Sequence, residues 1–273
     1  MTCSDRAPFP KAFADMVETK TLLKIEGLQK SFGSLNVLSG VDLSLGQSKK
    51  LALIGPSGSG KTTLLRCINH LEVPSAGHIY LDGELIGEER QGDRIVRAST
   101  RKLAAQRREM GFVFQNFYLW PHLTVLENVA IGPWRVQGLA RKDAMALAET
   151  MLEKVHMAHK RSEYPERLSG GQQQRIGIAR ALAQQPKVIL FDEPTSALDP
   201  ELVGEVLGVI QELAAEGRSM VLVTHEIRFA RDVADEVVFM DGGVVVESGR
   251  PAEVIDNPQQ ERTQRFLGQL RAA

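Results

Sequence analysis

The stretch GPSGSGKT, Gly55 to Thr62, fits the spacing G-x-x-x-x-G-K-[ST] and lies between the apolar run KKLALI and the helical run TTLLRCINHL. Glycines so placed let successive backbone N–H groups wrap phosphate oxygens. Lys61 can then reach β- and γ-phosphate oxygens and the Thr62 hydroxyl can ligate Mg2+. KVILFDEP is an apolar run that ends in two carboxylates, Asp192 and Glu193. Asp192 is placed to hold Mg2+ through water, and Glu193 to accept a proton from an attacking water or to orient it. His225 closes SMVLVTH and Gln115 closes MGFVFQ, each a polar residue where a γ-phosphate or its water would stand. A second phosphate cradle is written into LSGGQQQRIGIARALAQQ, residues 168 to 185. Ser169 is a good helix N-cap, Gly170 and Gly171 leave amides uncovered, and Ile176, Ala179, Leu182 and Ala183 share one face. A phosphate at such a terminus gains roughly 0.3–2 kcal/mol from the helix dipole.

These residues need a scaffold that presents them together. KKLALIG, KVILFD and SMVLVTH are compact apolar runs of the buried-strand kind with helical segments between them, which predicts an α/β sheet holding its ligand at the strands' C-terminal ends. LLKIEGLQKSF, VLSGVDLSL and HIYLDGE predict a β-rich start from Leu22. From roughly 95 to 184 the character changes to helix, in segments such as RASTRKLAAQRREM and ARKDAMALAETMLEKVHMAHK, so a mostly helical lobe is expected there as an insert. EVVFMDGGVVVES predicts two strands about the turn Asp241-Gly242-Gly243, followed by a short helical tail. Residues 1–20 read as a loose leader.

A chain of 273 residues with 43% hydrophobic content can bury a full core. Its net charge of -1 lacks the basic excess of nucleic-acid wrapping, so no nucleic-acid partner is expected. Cys3 and Cys67 form no CxxC or Cys/His cluster, which fits a reducing compartment without structural zinc. No apolar run approaches the ~20 residues that span a bilayer. The chain is therefore expected to be cytosolic unless another component holds it at a membrane.

Taken in order, GPSGSGKT, FQ at 114–115, LSGGQ at 168–172, ILFDEP at 189–194, SALD at 196–199 and TH at 224–225 resemble the ATP-binding subunit of an ABC transporter, from Leu22 to the end of the chain. The resemblance implies an α/β P-loop NTPase core of the ABC ATPase type, an N-terminal antiparallel β subdomain and an inserted helical subdomain, all within an ATP-binding domain over 21–273. It implies ATP and Mg2+ as cofactors. Nucleotide contacts are expected at Gly55, Pro56, Ser57, Gly58, Ser59, Gly60, Lys61, Thr62 and Thr63, and at Ser169, Gly170, Gly171 and Gln172. Phe32 in KSFG would stack on the adenine, keeping a ring face where tyrosine is frequent. Thr62, Gln115 and Asp192 would hold the metal, and Glu193, His225, Lys61 and Gln115 would serve catalysis. In the family two such subunits form an ATP-bound homodimer, head to tail. The P-loop of one and the LSGGQ of the other, with Ser169 and Gly171 donating, then close on the same nucleotide.

ABC ATPases serve transport, DNA maintenance and translation. Between the P-loop and LSGGQ there is no long heptad region, and only one cassette is present, so transport is favoured over the coiled-coil and tandem classes. FQNFYLWPHLTVLENV, YPERLSGGQQQRIGIARALAQQP and DEPTSALDPELVGEVL resemble bacterial importers of polar amino acids, and the charged insert between Asp82 and Met110 resembles their histidine, basic amino acid and opine branch. The alternatives are a transporter of another small solute and an ABC ATPase of non-transport function. The resemblance implies two transmembrane permease subunits as partners, an extracytoplasmic substrate-binding protein indirectly, and a peripheral place on the cytoplasmic face of the inner membrane. Phe117, Tyr118, Leu119 and Trp120 are the expected docking surface, and filling of the lobe's own core is the competing use of these rings. Substrate specificity would belong to the partners.

Overall fold

The computed structural model describes residues 20–92 and 94–272. The leader expected over residues 1–20 lies outside them except for Lys20. The first part of the chain forms β1 (Thr21–Phe32), β2 (Leu35–Gly46), β3 (Lys50–Ile54), α1 (Lys61–Ile68), β4 (Ala76–Leu81), β5 (Glu84–Leu85), β6 (Glu88–Gln91), β7 (Arg94–Arg97), α2 (Thr100–Arg108) and β8 (Met110–Val113). The second part forms α3 (Val125–Ile131), α4 (Arg141–Lys154), α5 (Gly170–Leu182), β9 (Val188–Asp192), α6 (Pro200–Ala215), β10 (Met220–Val223), α7 (Ile227–Val233), β11 (Glu236–Asp241), β12 (Val244–Gly249) and α8 (Glu261–Ala272).

The central sheet has the order β12-β11-β3-β10-β9-β8, parallel except for β12, which returns antiparallel to β11 through the Asp241-Gly242-Gly243 turn. Its apolar runs are continuous because both faces are covered. Along β9, Val188 and Leu190 enter the core shared with α1 and the N-terminal strands, while Ile189 and Phe191 enter the core shared with α5 and α6, as the two-residue period of a strand requires. The N-terminal strands form a separate antiparallel sheet, β2-β1-β4-β5.

Register sets the functional edge. Leu53 of β3 pairs with Val223 of β10, and Val223 pairs with Asp192 of β9, so Gly55, Glu193 and Thr224-His225 all leave the sheet at one level. Val113 of β8 pairs with Phe191, which brings the Gln115 segment to the same end.

The mostly helical span expected over 95–184 is interrupted. β7 pairs with β6 as a hairpin, Glu88 opposite Arg97, and β8 belongs to the central sheet. Helices that pack on one another, α3, α4 and α5, come only after Gln115, around Val129, Ala148, Leu152 and Ile176. The hairpin escapes sequence reading because its strands, EERQ and RIVR, are short and charged on both sides of the turn.

Candidate functional site

The P-loop joins β3 to α1 through left-handed glycines, with φ of +145° at Gly55, +78° at Gly58 and +99° at Gly60. Two of them are packed against the chain itself. A Cβ on Gly55 would stand 2.1 Å from the Met240 carbonyl oxygen, and one on Gly60 would stand 2.8 Å from Leu38 and 3.0 Å from the Val37 carbonyl oxygen. Gly58 faces open space, with nothing within 4 Å of such an atom. No side chain caps α1, so its first amides look into that space.

Lys61 is buried, and its ammonium donates to the carbonyl oxygens of Gly55 and Pro56, both at 2.8 Å, and to Ser59 Oγ at 3.3 Å. Burial lowers its pKa, opposed by Glu193 and Asp192. A buried cation resting on neutral oxygens, with no ion pair among the described residues, fits an incoming phosphate better than it fits its present partners.

Thr62, at the start of α1, donates its hydroxyl to Asp192 Oδ1 at 2.7 Å, and Arg66 Nε lies 3.8 Å from the other carboxylate oxygen. Asp192 is 2% exposed, and burial raises its pKa against the pull of Thr62 and Arg66. A hydroxyl and a carboxylate oxygen in contact form the hard, oxygen-only donor set that suits Mg2+. The residues present therefore fit the metal.

Glu193 sits in left-handed backbone, φ +46°, held by its N–H to the Val223 carbonyl at 3.1 Å. A non-glycine residue there costs about 1–3 kcal/mol, and this strain turns the carboxylate toward β10. His225 Nε2 lies 3.1 Å from Glu193 Oε1. That contact, ahead of the opposing effect of burial, holds the Glu193 carboxyl below its ordinary range. Sequence reading placed both residues at the edge without joining them. The left-handed turn that joins them has no signature in DEP.

Gln115 is exposed two residues beyond β8 and makes no hydrogen bond to Thr62 or Asp192. Phe32 stands at the β1–β2 turn, 46% exposed, with Lys30 Nζ 4.5 Å from its ring centroid. It pairs with Leu35, two residues before Val37, whose carbonyl flanks Gly60. An open ring thus stands beside the phosphate loop.

The second cradle is a capping box. Ser169 Oγ accepts from the Gln172 N–H at 3.3 Å, and Gln172 Oε1 accepts from the Ser169 N–H at 3.1 Å. The spacing S-x-x-Q carries this signal, which the sequence reading used only as far as the serine. A Cβ on Gly170 would come within 3.0 Å of Leu198, and one on Gly171 within 3.2 Å of Leu202. SALD therefore packs under the LSGGQ turn. No hydrogen bond or ion pair joins Ser169 or Gln172 to Lys61, Thr62, Asp192, Glu193 or His225 among the described residues. One chain holds two cradles without closing them on each other.

The ring cluster divides between the two uses expected of it. Leu119 packs against the helical core and Phe117 is half-buried, while Tyr118 is 62% and Trp120 42% exposed.

A parallel sheet whose strand ends gather a P-loop, a buried Thr–Asp pair and a Glu–His pair is a nucleotide-phosphate hydrolase scaffold, and its capped glycine turn sets it apart within that class. The chain belongs to the ABC transporter family, whose model matches residues 38–196. It is 52% identical to the arginine transport ATP-binding protein ArgV of Corynebacterium glutamicum, over 92% of this chain and 99% of that one. It is 53% identical to the L-cystine import ATP-binding protein TcyC of Bacillus subtilis, over 91% of this chain and 98% of that one. Among solved structures it resembles the ATP-binding cassette MJ0796, determined as a dimer in a post-hydrolysis state bound to ADP and Pi. The TM-score is 0.71 at 32% identity, covering 84% of this chain and 99% of that one.

Proposed function

We propose that this chain is the ATP-hydrolysing subunit that powers import of polar amino acids through a membrane ABC transporter. The observation that carries the reading is the convergence of Lys61, the Thr62–Asp192 pair and the Glu193–His225 pair at one edge of the parallel sheet. Relatives that this chain matches over nearly their whole length are named for arginine transport and cystine import.

In this reading the amides of Gly58 to Thr63 cradle the phosphates and the Phe32 ring stacks on the adenine. Thr62, Asp192 and Gln115 would hold Mg2+, which would supply neutralisation of phosphate charge. Lys61 exchanges its carbonyl partners for phosphate oxygens. Glu193, kept ionised by His225, takes the proton of the attacking water, and His225 then holds the γ-phosphate side. Ser169 and Gly171 act on the nucleotide of a second copy, so two chains close head to tail around two nucleotides. The γ-phosphate bridges the surfaces, and its loss releases them.

No helix among the described residues is long and apolar enough to cross a membrane. Two permease subunits, fed by an extracytoplasmic binding protein, supply the path in this proposal, with the chain docked peripherally on the cytoplasmic face of the inner membrane. The test is uptake of labelled amino acids by native cells carrying Lys61→Ala. Loss of uptake of one polar group is expected, and unchanged uptake across the panel with a dead ATPase would overturn the amino-acid assignment.

A further inference from the structure

The segment between Phe114 and Trp120 is bound along helix α5 by side chains to which the proposed mechanism gives no role. Gln174, fully buried, donates through Nε2 to the Phe114 carbonyl at 3.1 Å. That carbonyl shares its peptide plane with the N–H of Gln115, so the bond fixes the peptide from which Gln115 departs. Six residues further along α5, Arg180 donates to two successive carbonyls, Tyr118 at 2.6 Å and Phe117 at 3.0 Å. Its guanidinium also lies 5.3 Å from the Trp120 ring centroid. These two carbonyls lie on either side of Tyr118, whose backbone is left-handed, φ +47°, a conformation disfavoured for a bulky residue. Between the two donors, α5 presents Gly177, where a Cβ would approach the Phe117 carbonyl oxygen to 3.9 Å, and Gly170 places its bare face near the Phe117 ring. The far end of the segment is tied to α3, where buried Asn128 accepts from the Trp120 N–H at 2.7 Å and donates back to the Trp120 carbonyl at 3.1 Å.

A loop whose carbonyls are fixed by the buried Gln174 and the half-buried Arg180 of one helix moves with that helix. The same helix begins at the Ser169 capping box. We propose that Gln174 and Arg180 are positioning residues that weld the Phe114–Trp120 segment to α5 and so fix where Gln115 stands for turnover. The proposal rests on the reading of Gln115 as a residue of the nucleotide site. Neither Gln174 nor Arg180 touches the phosphate loop, so they act on turnover only through the residues they hold.

Two measurements on the full-length chain test this. Hydrogen exchange without nucleotide is compared among wild type, Gln174→Met and Arg180→Lys, the latter keeping the charge but losing the two-pronged donation. The Trp120 amide, the N–H of residues 115–120 that is held in a hydrogen bond among the described residues, should exchange about tenfold faster in both variants, with the amides within α5 unchanged, because freeing the segment from α5 loosens its bond to Asn128. A double-mutant cycle with Gln115→Ala then reads ATP turnover. Each variant should lower kcat about tenfold at unchanged KM, and combining it with Gln115→Ala should add no further loss, because both act at one residue. Unchanged exchange in both variants overturns the weld, and multiplicative losses in the cycle overturn its action through Gln115. A wild-type chain without ATPase activity would sink the proposed function instead, and the exchange comparison would still decide the weld.

Discussion

At the scale of single residues, the two neighbouring carboxylates at the end of β9 are displaced in opposite directions, and the signs have opposite consequences. Burial raises the pKa of Asp192, with Thr62 and Arg66 only partly opposing it. A carboxyl raised in the folded chain favours folding below the ordinary carboxylate range, and that contribution is lost as pH rises through the raised value. Burial thus makes the charged form of Asp192 a burden on the chain, one that a bound cation would relieve. Asp192→Asn removes the charge and keeps an acceptor for Thr62. It should melt at or a few degrees above wild type without nucleotide, gain less than wild type from Mg-ATP, and turn over on the order of 10²–10³-fold more slowly. Calorimetry with and without Mg-ATP checks this, and a lower melting point in the absence of nucleotide would contradict it. Glu193 has the opposite sign, since the His225 contact lowers its pKa. Its contribution is present above the ordinary carboxylate range and lost as pH falls through the lowered value. His225→Ala should accordingly shift the acid limb of the pH–rate profile toward neutral pH and lower its plateau. A profile that loses height without moving would leave His225 with a phosphate contact alone.

At the scale of elements, α5 shows that holding a helix end and holding an anion are separable demands on one side chain. Ser169 accepts the Gln172 N–H and also presents an exposed hydroxyl. Ser169→Ala loses the cap, at a cost of about 1 kcal/mol. Ser169→Asp keeps an equally good cap but places a negative charge where the second copy's γ-phosphate would arrive. The aspartate variant should therefore melt like wild type and fail to dimerise with Mg-ATP in a Glu193→Gln background, as followed by light scattering. Dimers of normal affinity would remove the second cradle from the proposed site. Ser169 as the cap was legible because the N-cap preference is local, while its reciprocal partner Gln172 was not read, and β3, β9 and β10 were legible because strands buried on both faces are apolar throughout. The β6–β7 hairpin was not, since exposed strands carrying arginine and glutamate on either side of Gly92 have no apolar period. Nor were the Glu193–His225 pair or the Gln174 and Arg180 donors, which depend on a left-handed residue or on carbonyls brought close only by tertiary packing.

At the scale of the whole molecule, the proposed nucleotide site and the proposed docking ridge fall on different surfaces, with α5 between them. The phosphate edge is formed by loops after β3, β9 and β10, whereas the Tyr118–Trp120 ridge lies on the segment that leaves β8 for the helical subdomain. Tyr118 is the most direct probe of that separation. Its ring is 62% exposed and stacks edge-on with Phe114 at 5.3 Å between centroids, so the folded chain gains little from it. The backbone there is left-handed, a conformation that asparagine tolerates better than most residues, so Tyr118→Asn removes the ring without straining the chain. An aromatic anchor at the centre of an interface is commonly worth about 2 kcal/mol or more, whereas the same ring in water is worth nothing to binding. Tyr118→Asn should therefore keep its melting temperature, its ATP affinity and its ATP-dependent homodimer. It should bind the reconstituted permease subunits at least about tenfold more weakly and lose stimulation of its ATPase by them. Wild-type affinity for the permease would move the docking surface off this ridge, and a homodimer lost together with permease binding would show that the two surfaces are not separable.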